Sequence, residues 1–143
     1  MKVFGKFFGL MKSCRVLDIS NNVTCGDHKA LKWLLEGLVL SKNSLVELNI
    51  SNNKSINCEG TLDVLCQLLT DNLQLKILNI SNLGMNKDNC DKLLAFLKIH
   101  FTKSWNLNNN LQKLIWDKDL SCSKQNAKKF ITEFVGKIYN RKL

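Results

Sequence analysis

One short pattern of leucine, isoleucine and asparagine occurs four times and constrains the fold of this chain more than any other feature. The clearest copy is Leu45-Val-Glu-Leu48-Asn-Ile50-Ser-Asn-Asn53, and the weakest runs from Leu111 to Asp119. Repetition with a period of about 20 to 50 residues is typical of chains that stack one structural unit several times. The second strong position of each copy recurs at spacings of 31, 30 and 36 residues: Leu17, Leu48, Leu78 and Leu114.

Each copy predicts a short β-strand that is followed by a helix. In the first copy, Leu17 and Ile19 are separated by one residue, which is the period of a strand with one face on a core. Further along, leucines return at the spacing of a helix that has one apolar stripe. We therefore predict strands at 15–20, 46–51, 76–81 and 112–116, and helices that begin near Asp27, after Gly60, near Asp88 and near 123.

The length and composition predict one domain. A chain of 143 residues matches the size of a single domain, and the absence of proline argues against a rigid linker. Phe4, Phe7, Phe8 and Met11 have helical spacing, and Lys6 interrupts the apolar run that a signal peptide needs. No run of apolar residues is long enough to span a membrane. We predict one domain over 1–143, with a helical cap at 1–13, repeats at 14–43, 44–73 and 74–110, and a last repeat with a C-terminal cap helix at 111–143.

The pattern Leu-x-x-Leu-x-Leu-x-x-Asn, followed by a helix about every 30 residues, resembles the leucine-rich repeat, in its ribonuclease-inhibitor-like class. The resemblance covers about residues 14–122. It implies an α/β fold: a short solenoid of about four strand–helix units with a parallel concave sheet, outer helices and helical caps at both ends. The pattern departs from the family where Leu83 and Asp119 replace asparagine and where Trp116 replaces leucine.

The resemblance also implies a binding surface, because such proteins grip other proteins with the concave sheet. Side chains that alternate with the core leucines form columns across the strands, and some of them are aliphatic among polar neighbours. An apolar centre with a polar rim is the composition of a recognition patch, although single exposed aliphatic side chains are also common on any surface. Trp105, in the longest unit, is a further candidate. The predicted protein-binding residues are Val16, Asp18, Ser20, Glu47, Asn49, Ser51, Ile77, Asn79, Ser81, Lys113, Ile115, Asp117 and Trp105.

The pattern of cysteine and histidine predicts no catalytic, metal or cofactor site. The six cysteines contain no Cys-x-x-Cys pair, and His28 and His100 have no companion ligand at zinc spacing. Without a secretory signal, we expect reduced thiols that pack as small apolar side chains. Cys25 lies close to His28 in sequence, but it stands eight residues after Leu17, as Ile56 does after Leu48, and that equivalence predicts a core position. The chain is therefore expected to bind and not to catalyse.

The net charge of +9 and the isoelectric point near 9.4 are compatible with an acidic partner. The lysines are scattered, apart from one cluster at 124–142, and no aromatic side chains alternate with them as base stacking would require. We therefore expect a protein partner, acidic or an enzyme whose active site is covered, and a chain that is monomeric on its own. Binding of nucleic acid or an anionic membrane through the basic C-terminal helix remains an alternative, as does substrate recognition for a ubiquitin-type ligase.

The resemblance extends to small repeat-bearing effectors of intracellular bacterial pathogens. The lysine- and asparagine-rich composition, without proline, is in keeping with that group. It implies a cytoplasmic protein, or one that a bacterium secretes into host cytoplasm without a cleavable signal peptide. In that setting, the expected activity is to inhibit or scaffold a host enzyme or a companion effector.

Overall fold

The computed structural model describes residues 12–22, 29–41, 45–102 and 111–116. Within those residues the chain forms four strands of three residues and three α-helices, and a 3-10 helix at Lys54–Asn57. The strands are β1 (Val16–Asp18), β2 (Glu47–Asn49), β3 (Ile77–Asn79) and β4 (Lys113–Ile115). The helices are α1 (Ala30–Ser41), α2 (Thr61–Asp71) and α3 (Lys87–Thr102).

The four described strands form one parallel sheet in the order β1-β2-β3-β4. Its register aligns the same position of every sequence copy: Leu17 pairs with Leu48, Leu48 with Leu78, and Leu78 with Leu114. Parallel neighbours need a long crossover connection, and α1, α2 and α3 occupy these connections. The α/β class and the parallel sheet that the sequence predicts are confirmed.

The strands are shorter than the predicted ranges, because regular pairing ends where the chain turns. Backbone bonding between neighbouring copies nevertheless continues beyond each strand. The N–H of Ile19 donates to the carbonyl of Asn49 at 2.9 Å, and the N–H of Asn21 donates to the carbonyl of Ser51 at 3.1 Å. The turn itself is left-handed at Asn21, Asn52 and Asn82, with φ of 59°, 59° and 52°. Asparagine is among the few side chains that tolerate this conformation.

The core lies between the sheet and the helices. Leu48 and Leu78 are no more than 1% exposed at the centre of the sheet, while Leu17 and Leu114, on the outer strands, are half-buried and pack against the same cluster. One hydrophobic cluster, together with the half-buried side chains that pack against it, contains residues from all four described strands and from the three helices. The helices contribute one apolar stripe each: Leu31, Leu35 and Leu38 from α1, Leu62, Leu65 and Leu68 from α2, and Leu93 and Leu97 from α3.

Local residues set where the helices begin. Gly60 precedes α2 with φ of +76°, a left-handed conformation that glycine adopts without steric cost. A β-carbon at this position would lie 2.8 Å from the ammonium nitrogen of Lys32, but this is the end of a flexible side chain that can move aside, so the left-handed backbone is the reason for glycine here. Asn86 precedes α3, and its side-chain oxygen accepts a hydrogen bond from the N–H of Asn89 at 2.9 Å. This is the usual way to satisfy an orphan donor at a helix start.

One expectation about the cysteines is wrong. Cys14, Cys58 and Cys66 are free thiols, as expected, but Cys90 is disulfide-bonded. Cys90 is completely buried at the start of α3, and burial alone does not distinguish a thiol from a disulfide. Sequence spacing misses such a bond because it depends on which cysteines the fold brings together. The predicted caps at 1–13 and 123–140 lie outside the described residues, apart from Lys12 and Ser13.

Candidate functional site

The side of the sheet that faces away from the core carries most of the predicted binding residues. We call it the open face, and it consists of the strand residues that alternate with the buried leucine column. Val16 is 63% exposed, Asp18 and Lys113 are also exposed, and the other members are half-buried. The members of the open face are Val16, Asp18, Glu47, Asn49, Ile77, Asn79, Lys113 and Ile115.

The register arranges the open face into two columns. One column runs Val16, Glu47, Ile77 and Lys113, and the other runs Asp18, Asn49, Asn79 and Ile115. These are the columns that the alignment of the sequence copies predicts. Neighbouring strands lie about 4.8 Å apart, so each column brings side chains from all four described copies within reach of one partner surface.

The predicted third column is Ser20, Ser51, Ser81 and Asp117, and its three serines make hydrogen bonds within the turns that follow the strands. Ser51 is only 5% exposed, so it offers little surface to a partner. Its N–H and hydroxyl both donate to the side-chain oxygen of Asn49, at 3.1 and 2.7 Å. Such local bonds compete with the sheet ladder and end the strand. The signal in the sequence is the recurrence of Asp/Asn-Ile-Ser, which the strand pattern alone does not explain.

Asp18 makes the same hydrogen bonds in the first turn that Asn49 makes in the second, but with a carboxylate in place of an amide. Its Oδ1 accepts from the Ser20 hydroxyl at 2.7 Å and from the Ser20 N–H at 2.9 Å, while Oδ2 accepts from the Asn49 amide at 2.9 Å. Hydrogen bonds to a carboxylate favour its ionised form. The Ser20 hydroxyl, followed by the Ser20 N–H and the Asn49 amide, therefore lowers the pKa of Asp18 below its ordinary value of 3.8.

We expect the stabilising effect of Asp18 to be lost only in acid. A lowered pKa in the folded state contributes stability that is fully present above the ordinary value of 3.8, and that contribution disappears as the pH falls through the folded value. NMR titration of the carboxyl carbon should place the midpoint below 3.8, and Ser20→Ala should raise it more than Asn49→Ala does. A midpoint unchanged by Ser20→Ala would contradict this assignment of the cause.

Two predicted binding residues, the predicted core position Cys25 and the basic segment of the alternative function lie outside the described residues. Asp117 and Trp105 are not described, nor are the Cys25–His28 pair and the basic segment 124–142. Ten of the 21 basic and eight of the 12 acidic residues fall within the described ranges. Most of the excess positive charge therefore lies outside them, and the open face itself carries both signs.

Neither a metal centre nor a membrane span is found in the part of the chain that the structure describes. Within 12–22, 29–41, 45–102 and 111–116, no three histidine, cysteine, aspartate or glutamate side chains are grouped to hold a metal ion. None of the described helices is both long and apolar enough to cross a membrane. The chemistry available on the open face is hydrogen bonding, charge pairing and aliphatic contact.

Comparison with known proteins adds one remote similarity of structure. No protein-family model matches this chain, and no curated protein matches it. A solved structure titled "Leiomodin-1 Actin-Binding Site 2 (ABS2)" is 13% identical in sequence, and the aligned region covers 99% of this chain and 88% of that one, with a TM-score of 0.48. At this identity and TM-score, the similarity says nothing about what the present chain binds.

Proposed function

We propose that this chain is a small leucine-rich-repeat protein, of the ribonuclease-inhibitor-like class, that binds another protein through its open face and has no catalytic role. The open face would be the concave surface of a short solenoid. Binding there would inhibit or scaffold the partner, and for a bacterial effector that partner would be a host enzyme or a companion effector.

The observation that carries this proposal is the aliphatic content of the open face. Val16 is 63% exposed on an outer strand, and Ile77 and Ile115 are half-buried on β3 and β4 among polar side chains. The aliphatic side chains have the polar neighbours Glu47, Asn79 and Lys113 in the sheet register. Burying apolar surface drives association, while polar neighbours keep the free protein hydrated and give specificity.

Quantitative affinity capture with an open-face variant tests the proposal. The variant combines Val16→Asp, Ile77→Asp and Ile115→Asp, and each change places a charge where the partner would bury an aliphatic group. We expect at least one protein to be retained by the wild type and depleted about tenfold or more by the variant, which corresponds to about 1.4 kcal/mol of binding free energy. Circular dichroism and thermal unfolding establish that both chains are folded.

The chain offers a matched control of the same chemistry elsewhere. Leu40, Leu73 and Ile99 are exposed aliphatic residues away from the open face, at 78%, 54% and 55%. The variant Leu40→Asp, Leu73→Asp, Ile99→Asp adds the same charge and should retain the partner. Loss of the partner with this control, and its retention by the open-face variant, would place the interface at the surface around Leu40, Leu73 or Ile99 and refute the proposal.

A further inference from the structure

The hydrogen bonds where the strands end determine what the open face can still offer to a partner. The side-chain oxygen of Asn79 accepts from both the N–H and the hydroxyl of Ser81, at 3.1 and 2.8 Å. The oxygen of Asn49 is occupied in the same way by Ser51. An amide oxygen has two lone pairs, so both oxygens are saturated. These asparagines can therefore offer a partner only N–H donors.

The rest of the open face is divided by charge. Its carboxylates, Asp18 and Glu47, lie on β1 and β2. On β3 and β4, Ile77 pairs with Lys113 and Asn79 pairs with Ile115. We call these four residues the β3–β4 patch. With neighbouring strands about 4.8 Å apart, the patch places two aliphatic side chains, one ammonium group and one amide donor together, and it contains no carboxylate.

We propose that the β3–β4 patch docks a polypeptide segment of the partner that carries both aliphatic and acidic side chains. This inference rests on the proposed function and specifies the partner. Ile77 and Ile115 would bury the aliphatic groups, and the Lys113 ammonium would pair with a carboxylate at the rim. The amide N–H groups of Asn79 would donate to carbonyl or carboxylate oxygens, which an acidic segment supplies in excess.

The charge pattern also sets the position of the segment on the sheet. Asp18 and Glu47 repel an acidic segment from the β1–β2 side, so its carboxylates should lie towards β4. A nucleic-acid backbone fits the patch less well. It would meet a single cation on the patch, Lys113, and the open face contains no aromatic side chain on which a base could stack.

Selection from a random peptide display library on the immobilised chain tests this inference. We expect the enriched peptides to combine aspartate or glutamate with isoleucine, leucine or valine. For the tightest peptide, Lys113→Glu and Ile77→Asp should each raise the Kd about tenfold or more, and Glu47→Gln should lower it. Lys92→Glu, an exposed lysine on α3, is the matched control for charge and should leave the Kd unchanged.

Charge reversal supplies a rescue that a misfolded variant could not give. A peptide whose acidic residues are replaced by lysine should bind Lys113→Glu better than it binds the wild type. If the enriched peptides are basic or neutral but still require Ile77, the acidic character proposed for the segment is wrong, while the proposed function is retained. If the peptides bind equally well to Lys113→Glu and to every aspartate variant of the open face, both this inference and the proposed function are wrong. If no peptide is enriched over an immobilised control protein, this inference is wrong.

Discussion

Replacing Asn53 with alanine is expected to lower the free energy of unfolding by about 3 kcal/mol, because one buried and two partly buried backbone bonds are lost. Asn53 is fully buried in the turn after β2. Its amide donates to the carbonyls of Ile19 and Ile50 at 3.0 and 2.8 Å, and its oxygen accepts from the N–H of Asn22 at 3.1 Å. The side chain therefore joins the first and second units where no strand pairing does. Urea unfolding of both chains measures the difference.

Asn57 provides a matched control, since it has the same side chain and also bonds to other groups through both its nitrogen and its oxygen, but it is exposed. Its amide donates to the carbonyl of Gly84 at 2.6 Å, and its oxygen accepts from the backbone of Asn86 and the side chain of Asn89 at 2.8 and 3.1 Å. Water can replace these bonds, so Asn57→Ala should cost only about 1 kcal/mol. Equal losses for the two variants would contradict the role assigned to burial.

Replacing Asn53 with leucine provides a second comparison. Leu83 occupies the position of Asn53 in the third copy and is 1% exposed. Asn53→Leu should therefore pack acceptably but still leave the carbonyls of Ile19 and Ile50 without their donor. Its stability should lie between those of Asn53→Ala and the wild type. A variant as stable as the wild type would show that these backbone groups find other partners.

The sheet register could be predicted from sequence because it depends on a local and repeated signal. Aligning Leu17, Leu48, Leu78 and Leu114 by the pattern yields the pairs that the structure contains. The longer spacing before Leu114 did not disturb the alignment, because the extra residues precede the strand and leave its alternation intact. Ile56, the position with which Cys25 was compared, is fully buried, while Cys25 itself lies outside the described residues.

Features that depend on contacts between units, or on turn conformation, could not be predicted in this way. Ser51 has the periodicity of an outward side chain, yet the turn after Asn49 buries it. Asn57 lies between the predicted elements and has no periodic signal, although it connects the second unit to the start of the third. The disulfide at Cys90 depends on proximity in space. Periodicity identifies the face of the strand or helix on which a residue lies, but it does not identify the residues that this residue contacts.

Truncation along the leucine column is expected to produce the other large effect, and its size should follow position in the sheet. Leu48→Ala and Leu78→Ala should each lower the free energy of unfolding by about 3 kcal/mol, since both side chains are buried between neighbours on two sides and leave a cavity. Leu17→Ala and Leu114→Ala remove half-buried side chains on outer strands, so each should cost about 1.5 kcal/mol.

Urea unfolding of all four variants measures how the loss of stability depends on position in the sheet. The substitution is leucine to alanine in every variant, and all four positions belong to the same column. If stacking of units supplies the core, the inner leucines must cost more than the outer ones, because each inner strand has two neighbouring strands and each outer strand has one among the described elements. Equal losses at Leu17 and Leu48 would mean that the outer units are as well packed as the inner ones. That result would contradict a stability built from contacts between neighbouring copies, while a decrease from the centre to both edges would support it.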